Sequence, residues 1–284
     1  MAYPSPRALL AKYGLRAKKS WGQNFLGDEA ILDSIAALAA TAPGERVVEL
    51  GAGLGHLTAR LLARGAEVVA VERDRDMARV LRGELGERAT VLEADAARID
   101  YAALAVSSPP VLRLAVVGNL PYHLTSPILF GLLDQARYVS RAVLLLQREV
   151  AERLAASPGT KAWGLLSVLL QEKATVSVER IVPPGAFHPP PKVESAVVRI
   201  AFGPERPGAP DPARFRKLVK AGFGQRRKTL ANALAAARIA PPAELARALA
   251  TAGVDGKRRG ETLTVGEWAA LEGALARPEG EGGG

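Results

Sequence analysis

Short apolar runs alternate with longer helical patterns over the first half of the chain. Helices are predicted at about Glu29–Ala40, from the glycine loop that follows Leu50 to Arg64, and over Asp74–Leu85. This alternation predicts βαβ units and a parallel, doubly wound α/β sheet. The predicted strands of the sheet are Arg46–Leu50, Glu67–Val71, Ala89–Glu93, Leu112–Val117 and Arg141–Gln147.

The rest of the chain has a different pattern. Lys173–Val182 and Val193–Phe202 have strand character with no helix between them, which predicts a terminal antiparallel pair. A Pro- and Gly-rich stretch over residues 204–211 predicts a linker. We therefore predict an α/β domain over residues 1–203 and a small all-α domain over 212–284 with a frayed Gly-rich tail. The Ala-rich predicted helices of the second domain are about Pro212–Phe223, Arg226–Ala237, Ala243–Ala252 and Val265–Ala276.

Composition narrows the class of protein. The chain has 284 residues, 48% of them hydrophobic, which is enough to bury a core. The sequence contains no run of 18 uncharged apolar residues, so no membrane-spanning helix is expected. The first six residues lack the apolar segment of a secretory signal. Zero cysteines exclude disulfides, thiolate catalysis and Cys-ligated zinc, and the three histidines lie far apart in sequence. We expect a cytoplasmic protein without a metal.

The positive charge is concentrated in two segments. The formal net charge is +9, which favours a polyanionic partner. Residues 1–26 contain five basic side chains and no acidic one, and residues 212–243 contain eight and again no acidic one. A solubilising surface normally mixes both signs. The two segments therefore predict contacts with nucleic acid.

A glycine loop follows the first predicted strand. Residues 49–56 read Glu-Leu-Gly-Ala-Gly-Leu-Gly-His, and Glu72 ends the next strand, where its carboxylate can bind both ribose hydroxyls of an adenosine-type cofactor. NAD-binding folds show the same pattern, but their pyrophosphate fingerprint requires glycine where this chain has His56. The spacing is typical of S-adenosylmethionine, which has no phosphate. Asp95 after the third strand then offers an acceptor for the adenine amine.

A second group of polar residues follows the fourth predicted strand, where the chain reads Gly-Asn-Leu-Pro-Tyr over residues 118–122. The side-chain carbonyl of Asn119 and a neighbouring backbone carbonyl can accept hydrogen bonds from an exocyclic amine, while Tyr122 stacks on the ring that carries the amine. The alternative is a strand exit with a buried tyrosine. Because the carboxyl ends of parallel strands meet at one edge of a sheet, Gly51, Glu72, Asp95 and Asn119 are predicted to converge there.

These motifs together resemble the ribosomal RNA adenine dimethylase family, which uses S-adenosylmethionine to dimethylate the exocyclic amine of adenosines. The resemblance runs from about Lys18 to Phe202 and extends through Phe223–Leu230, which is similar to the family's basic C-terminal helix. In order along the chain, the matching motifs are Gln23–Leu26, Glu49–Gly55, Glu72, Asp95, Asn119–Tyr122 and Phe187–Val193.

The resemblance implies a Rossmann-like S-adenosylmethionine-dependent methyltransferase sheet and a set of site residues. Tyr122 and Phe187 would stack on opposite faces of a flipped-out adenine; for Phe187, and for Phe25 and Leu26 near the cofactor, plain hydrophobic packing is the alternative. The implied cofactor contacts are Asn24, Leu26, Gly51, Gly53, Glu72, Asp95 and Asn119. The implied catalytic residues are Asn119, Leu120, Pro121, Tyr122 and Phe187. The implied RNA-binding residues are Lys18, Lys19, Arg226, Arg227 and Lys228.

Within the family, residues 119–127 and the full helical domain resemble the housekeeping small-subunit enzyme. That enzyme dimethylates two adjacent adenosines in a hairpin near the 3′ end of 16S ribosomal RNA. The implied partner is therefore this RNA or the pre-30S particle, and the implied role is in ribosome biogenesis. We expect the chain to be a monomer. Where the family often has aromatic-Gly-Arg-Leu-Ser, residues 163–167 read Trp-Gly-Leu-Leu-Ser, and we assign no RNA contact to Leu165. The alternatives are an erythromycin-resistance-type 23S methylase, or an assembly factor that acts mainly by binding. A small-molecule methyltransferase would not need Asn-Leu-Pro-Tyr or two acid-free basic segments.

Overall fold

The computed structural model of the protein describes residues 3–105, 113–203, 209, 211–225 and 227–276. The chain divides into two compact units. The first, here called the sheet unit, comprises the residues up to Ala151 together with Thr175–Phe202. The second, here called the helical unit, comprises Glu152–Ala174 and the residues from Gly203 onward.

The sheet unit is built on a seven-stranded, mostly parallel sheet. Its nine strands, two of them outside the main sheet, are β1 Phe25–Leu26, β2 Arg46–Leu50, β3 Glu67–Val71, β4 Thr90–Leu92, β5 Leu114–Asn119, β6 Val139–Gln147, β7 Ala174–Val182, β8 Phe187–His188 and β9 Ser195–Phe202. The strand order is β4-β3-β2-β5-β6-β9-β7; the first five are parallel, and β9 runs antiparallel to β6. β1 and β8 form a separate antiparallel pair.

The helices of both units begin and end close to where local signals place them. Asp28 caps α2 by accepting a hydrogen bond from the Ile31 amide, and Gly86 ends α4. α1–α6 lie in the sheet unit, α8–α12 in the helical unit, and α7 crosses the division in sequence. The bounds are α1 Pro6–Lys12, α2 Glu29–Ala39, α3 His56–Ala63, α4 Arg75–Leu85, α5 Tyr101–Leu104, α6 Thr125–Asp134, α7 Arg148–Leu154, α8 Leu165–Lys173, α9 Pro212–Gly224, α10 Leu230–Ala236, α11 Pro242–Thr251 and α12 Val265–Ala276.

The central strands are apolar along their length because both faces of the sheet are covered. Val47, Val48 and Leu50 of β2 and residues 114–117 of β5 are fully buried. The pairing of Leu50 with Val71 brings β2 and β3 to an end at the same level. The predicted α/β class with an all-α second part is confirmed, and the register of the strands aligns the predicted site residues along one edge.

The helical unit includes a segment that the sequence pattern assigns to the first domain. The prediction divides the chain at residue 203, whereas residues 152–174 pack with the helices that follow the linker. The Trp163 indole donates a hydrogen bond to the Leu263 carbonyl at 3.1 Å, and the Ala209 amide donates to Glu172 at 2.9 Å. Such a discontinuous unit is held by contacts between residues far apart in sequence, which a linear pattern does not reveal. The predicted Gly-rich tail and most of the predicted linker lie outside the described residues.

The N-terminal residues pack closely on the sheet unit. Leu9 and Leu10 of α1 join a buried cluster with Phe25 and Leu54. The Tyr3 hydroxyl donates a hydrogen bond to the Leu54 carbonyl at 2.8 Å. The basic N-terminal segment is therefore integrated into the fold next to the glycine loop. In the part of the chain that the structure describes, no helix is long and apolar enough to cross a bilayer.

Candidate active site

A cavity of about 350 Å³ opens at the carboxyl edge of the sheet. Its wall is formed by the N-terminal segment, the glycine loop and the ends of β3, β5 and β8. Every residue that the sequence predicts as catalytic or cofactor-binding lines this one cavity: Asn24, Leu26, Gly51, Gly53, Glu72, Asp95, Asn119, Leu120, Pro121, Tyr122 and Phe187.

The glycine loop needs its glycines for two physical reasons. Gly53 and Gly55 have φ values of 55° and 84°, in the left-handed region that other residues rarely adopt. A Cβ on Gly53 would lie 3.1 Å from the Phe25 ring, and one on Gly55 would lie 2.6 Å from the Tyr3 hydroxyl. The loop therefore turns tightly under the N-terminal segment and presents its backbone to the cavity.

Glu72 is held with both carboxylate oxygens oriented by the backbone. Its Oε2 accepts a hydrogen bond from the Gly53 amide at 2.8 Å, and its Oε1 accepts from the Asp74 amide at 2.7 Å. Burial raises the pKa of Glu72, and the two backbone donors partly oppose this shift. Each oxygen keeps a second lone pair. The arrangement suits a carboxylate that accepts two neighbouring hydroxyl groups.

Glu49, at the floor of the cavity, is a buried carboxyl that sequence reasoning placed in the loop motif but gave no role. Its side chain is 2% exposed and accepts a hydrogen bond from the Thr58 hydroxyl at 2.6 Å. Burial raises the pKa of Glu49 to about 8, and the nearby Glu72 adds to the shift. Glu49 is thus protonated at neutral pH in the ligand-free protein.

We predict that Glu49 makes folding stability dependent on pH. Because the folded-state pKa lies above the unfolded value, its stabilising contribution is complete below about pH 4.5 and is lost as the pH rises through about 8. The Glu49→Gln variant should lack this loss, so its unfolding free energy relative to wild type should rise by on the order of a few kcal/mol between pH 5 and pH 9. Urea unfolding at several pH values measures the difference; parallel pH profiles for the two proteins would contradict it.

Asp95 lies beyond β4 at the far end of the same cavity. Its Oδ1 accepts a hydrogen bond from the Ala97 amide at 3.0 Å, which fixes the carboxylate at the start of a short turn. Oδ2 lies 3.7 Å from the Arg73 guanidinium, and the side chain is 28% exposed. The carboxylate therefore remains accessible as an acceptor for an amine.

Asn119 ends β5 with its side chain tied to the N-terminal segment. The Asn119 Nδ2 group donates a hydrogen bond to the Asn24 backbone carbonyl at 2.8 Å. Because the nitrogen is committed in this way, the amide oxygen is left as the group that can accept hydrogen bonds from a ligand. The Asn24 side chain in turn donates to the Gly22 carbonyl at 3.1 Å.

Two aromatic residues flank this position from different elements. The Tyr122 hydroxyl and the Ser195 hydroxyl lie 3.0 Å apart, and Ser195 at the start of β9 is 1% exposed. Phe187 in β8 pairs with Leu26 in β1 and is 6% exposed. The short β1–β8 pair thus places Phe187 at the cavity wall beside Leu26. Both hydrophobic packing and contact with a ligand are compatible with this position.

The N-terminal segment over residues 18–24 is attached to the cavity by a buried carboxylate, Asp74. The Lys18 ammonium lies 2.7 Å from Asp74 and 2.8 Å from Asp76, and the Gln23 amide donates to Asp74 at 2.7 Å. Asp74 is 2% exposed; burial raises its pKa, but the bonds from Lys18 and Gln23 outweigh burial and leave the pKa below its usual value. We call this group, formed by Lys18, Gln23, Asp74 and Asp76, the latch. The latch gives Lys18 two intramolecular partners, while the RNA contact predicted for Lys18 stays a prediction.

We predict that Lys18→Ala weakens cofactor binding about five- to tenfold, because a partly buried ion pair with Asp74 is lost and the segment that carries Asn24 loosens. Lys12→Ala is the matched control, since Lys12 also pairs with a carboxylate, Glu84 at 2.6 Å, but lies in α1, outside the segment 18–24 that carries Asn24. Equilibrium dialysis with labelled S-adenosylmethionine measures both. A Lys18 variant with normal cofactor affinity but weaker RNA binding would instead support the RNA-binding role implied by the sequence.

The remaining residues predicted to bind RNA lie elsewhere. Arg227 and Lys228 are exposed in the turn before α10, in the helical unit. Arg226 and the side chain of Lys19 lie outside what the structure describes. The predicted helix from Arg226 begins at Leu230, because the Thr229 hydroxyl accepts the Asn232 amide hydrogen bond as its cap.

Sequence reasoning missed several residues of the site. Asp74 lies two positions beyond Glu72 and could have been found as a carboxylate beside a predicted cofactor residue. Trp21, which lines the cavity, and Ser195, which bonds the Tyr122 hydroxyl, carry no local signal, because only tertiary contacts give them these positions. Among the described residues, no group of three or more His, Asp or Glu side chains is arranged to hold a metal ion.

Comparison with known proteins shows the family of the chain. A sequence profile of the ribosomal RNA adenine dimethylase family matches residues 14–276. The ribosomal RNA small subunit methyltransferase A of Anaeromyxobacter dehalogenans (strain 2CP-C) is 73% identical over 279 residues, covering 96% of this chain and 98% of that protein. The protein of the same name from Myxococcus xanthus (strain DK1622) is 53% identical, covering 95% of each chain.

Solved structures share the fold. The crystal structure of the 23S rRNA methyltransferase ErmE has a TM-score of 0.67 and 29% identity, covering 89% of this chain and 100% of that one. A dimethyladenosine transferase from Plasmodium falciparum has a TM-score of 0.71 at 23% identity, covering 87% and 95% of the two chains, and shows the fold alone. With a family match over nearly its whole length and relatives of such high identity, the chain belongs to the ribosomal RNA adenine dimethylase family.

Proposed function

We propose that this protein transfers methyl groups from S-adenosylmethionine to the exocyclic amine of two adjacent adenosines, in a hairpin near the 3′ end of 16S ribosomal RNA. The observation that carries the proposal is the Asn119 amide, whose nitrogen is committed to the Asn24 carbonyl and whose oxygen is thereby left as an acceptor in the cavity that also contains Glu72 and Asp95. The names of the most similar relatives support the small subunit as the target.

The cavity fits the proposed cofactor. Glu72 offers two oriented oxygens for the ribose hydroxyls, and Asp95 offers an acceptor for the adenine amine. The glycine loop presents backbone at Gly51 and Gly53, whose φ values of 70° and 55° favour glycine. S-adenosylmethionine supplies an electrophilic methyl group on a positively charged sulfur. The protonated Glu49 at the floor would become ionised beside such a cation, because a nearby positive charge lowers the pKa of a carboxyl.

The protein's contribution to the reaction is to prepare a weak nucleophile. The lone pair of an adenine amine is delocalised into the ring, so its nitrogen attacks poorly. The Asn119 side-chain oxygen and the Leu120 backbone carbonyl accept its two hydrogens and favour a pyramidal nitrogen with the lone pair aimed at the methyl group. Positioning and electrostatics then supply most of the acceleration. The new bond forms from nitrogen to carbon, the carbon–sulfur pair stays on sulfur, and the nitrogen afterwards releases a proton to water.

Two aromatic side chains hold the adenine in place. The target base must leave its stack to reach the cavity, and an aromatic partner on each face offsets part of that cost. Tyr122 has its ring held by the bond between its hydroxyl and Ser195, and Phe187 is held by the β1–β8 pair. For the second methyl transfer the amine has one hydrogen fewer, so Asn119 and Leu120 share one donor and the cavity accommodates the first methyl group.

The exposed basic residues of the helical unit are proposed to bind the RNA backbone. We predict that replacing Arg226, Arg227 and Lys228 together by Ala weakens RNA binding and lowers the slope of log K against log salt by about two to three, because each phosphate contact contributes about 0.7–0.9 to that slope. Filter binding of 16S RNA between 50 and 300 mM salt measures the slope. Replacing the exposed Lys161 and Lys257 by Ala removes a similar charge outside the basic segment 212–243 and serves as the control; an unchanged slope in the triple variant would contradict the prediction.

The wider cellular role follows from the proposed substrate. A protein that acts on 16S RNA before the small subunit is complete would take part in ribosome biogenesis, in the cytoplasm, with the pre-30S particle as its partner. We propose a monomer as the active form. A methyltransferase for large-subunit RNA is the second candidate, since ErmE shares the fold at 29% identity.

The deciding experiment transfers labelled methyl groups to purified small and large subunits from a strain that lacks this activity, followed by nucleoside analysis. We expect dimethyladenosine in small-subunit RNA only. Label in large-subunit RNA would support the second candidate. Tight binding to small subunits without any transfer would leave an assembly factor in place of an enzyme.

A further inference from the structure

Trp21 is an exposed aromatic residue at the rim of the active-site cavity. It is 41% exposed and contributes to the cavity wall, whereas Trp163 and Trp268 are fully buried in the helical unit. Among the described residues, the other large apolar side chains that are exposed are all aliphatic: Leu92, Val178, Ile181 and Val193. A ligand that covers this ring would remove apolar area from water, which favours binding.

The position of Trp21 is set by the latch. Trp21 ends a short 3₁₀ turn, its amide donating to the Lys18 carbonyl at 3.0 Å. Lys18 is tied to buried Asp74, and the same segment continues to Asn24, which holds Asn119. The indole is therefore presented on a fixed backbone next to Gly22, where a Cβ would lie 3.8 Å from Pro121 of the motif proposed to hold the target adenine.

Two cationic side chains lie near the ring. The Arg73 guanidinium lies 5.7 Å from the centre of the Trp21 ring, and the Lys18 ammonium lies 5.4 Å from it. The two carboxylates of the latch neutralise Lys18, but Arg73 has a side chain that is 65% exposed and a distant contact of 3.7 Å with Asp95. Arg73 is thus the cation beside the ring that is available to an incoming anion.

We propose that Trp21 stacks on the base of a nucleotide next to the target adenosine, while Arg73 contacts the phosphate of that nucleotide. This inference rests on the proposed function. When the target adenine leaves the stack, the neighbouring base loses a stacking partner, and an indole at the rim of the cavity replaces it. An aromatic face beside a cation is the combination that binds single-stranded nucleic acid. S-adenosylmethionine has no phosphate and carries a positive sulfur, so Arg73 favours the polyanionic substrate as the partner of this surface.

The test separates RNA affinity from cofactor affinity. Trp21→Ala should raise the KM for unmethylated small subunits about tenfold, since stacking on one base contributes roughly this factor, and leave the Kd for S-adenosylmethionine within about twofold. Trp21→Phe keeps a flat ring and should restore most of the affinity for the subunits. Val178→Ala, which removes an exposed apolar side chain on the edge strand β7 away from the cavity, is the matched control and should change neither constant. Arg73→Ala should lower the salt slope of subunit binding by about one.

Each outcome is decisive. An unchanged KM for subunits in Trp21→Ala overturns the inference, and so does a cofactor Kd that weakens more than about fivefold at constant subunit KM, because the ring then serves the cofactor. The wild-type protein is assayed first: if it transfers no methyl group to small subunits, the proposed function fails, whereas transfer by wild type with an unaffected Trp21 variant overturns this inference alone.

Discussion

In the Asn119→Ala variant we expect single-turnover methyl transfer to fall by about three orders of magnitude while RNA binding stays within a few-fold of wild type. The reason is that the amide oxygen accepts a hydrogen of the target amine, and nothing in the shortened side chain replaces it. The variant also frees the Asn24 carbonyl, which accepts the Asn119 amide at 2.8 Å. The measurement is a rapid-quench assay with labelled S-adenosylmethionine and excess enzyme.

Two further variants sharpen this test. Asn119→Asp keeps the shape and an acceptor oxygen but loses the donor, so a carboxylate oxygen would face the Asn24 carbonyl; we expect it to be nearly as slow as the alanine variant. Asn232→Ala is the control, since Asn232 is the third asparagine of the chain and lies exposed in α10. Turnover at the wild-type rate in Asn119→Ala would remove Asn119 from the mechanism.

The Glu72→Gln variant should bind S-adenosylmethionine on the order of 100-fold more weakly, since two charge-assisted hydrogen bonds to the ribose each contribute roughly 1.5–3 kcal/mol. Both Glu72 oxygens accept backbone amides, from Gly53 and Asp74. A glutamine would turn its NH₂ group toward one of these donors, so the substitution disturbs the loop as well as the ribose contact. Isothermal titration measures the affinity.

The control for Glu72 is Glu67→Gln at the exposed start of the same strand, which should leave the cofactor Kd unchanged. The wild-type affinity should also fall as the pH is lowered, because burial raises the pKa of Glu72 and the protonated carboxyl accepts the ribose hydroxyls poorly. The Glu72→Gln variant should show a weaker dependence on pH, because only Glu49, which also ionises beside the cofactor, is then left to cause it. A variant that binds the cofactor as tightly as wild type would show that the ribose is held elsewhere.

Much of the sheet could be predicted from local pattern alone. The strands Arg46–Leu50 and Glu67–Val71 were predicted with the bounds that the structure shows, because strands buried on both faces are continuously apolar and end at glycine or charged residues. The convergence of Glu72, Asp95 and Asn119 was also predictable, since parallel strands that share a sheet end on the same edge. The predicted contact roles of these residues remain proposals for the experiments above.

Other parts of the site depend on pairs that the sequence does not relate. Lys18 was predicted to contact RNA because residues 1–26 contain no acid, yet Asp74, 56 positions away, lies 2.7 Å from its ammonium group. Ser195 supports Tyr122 from 73 positions away. Segment composition describes only the charges that are near in sequence, whereas electrostatic pairing depends on distance in space.

The sequence by itself determined the main strands of the sheet, the cavity-facing residues at the strand ends and the family, because each of these follows from short-range periodicity or from motifs of a few consecutive residues. Only the tertiary structure decided that residues 152–174 join the helical unit, that Lys18 forms an ion pair with Asp74, and that Trp21 is exposed at the cavity rim. These features arise from packing between segments distant along the chain, and such contacts exist only once the chain has folded.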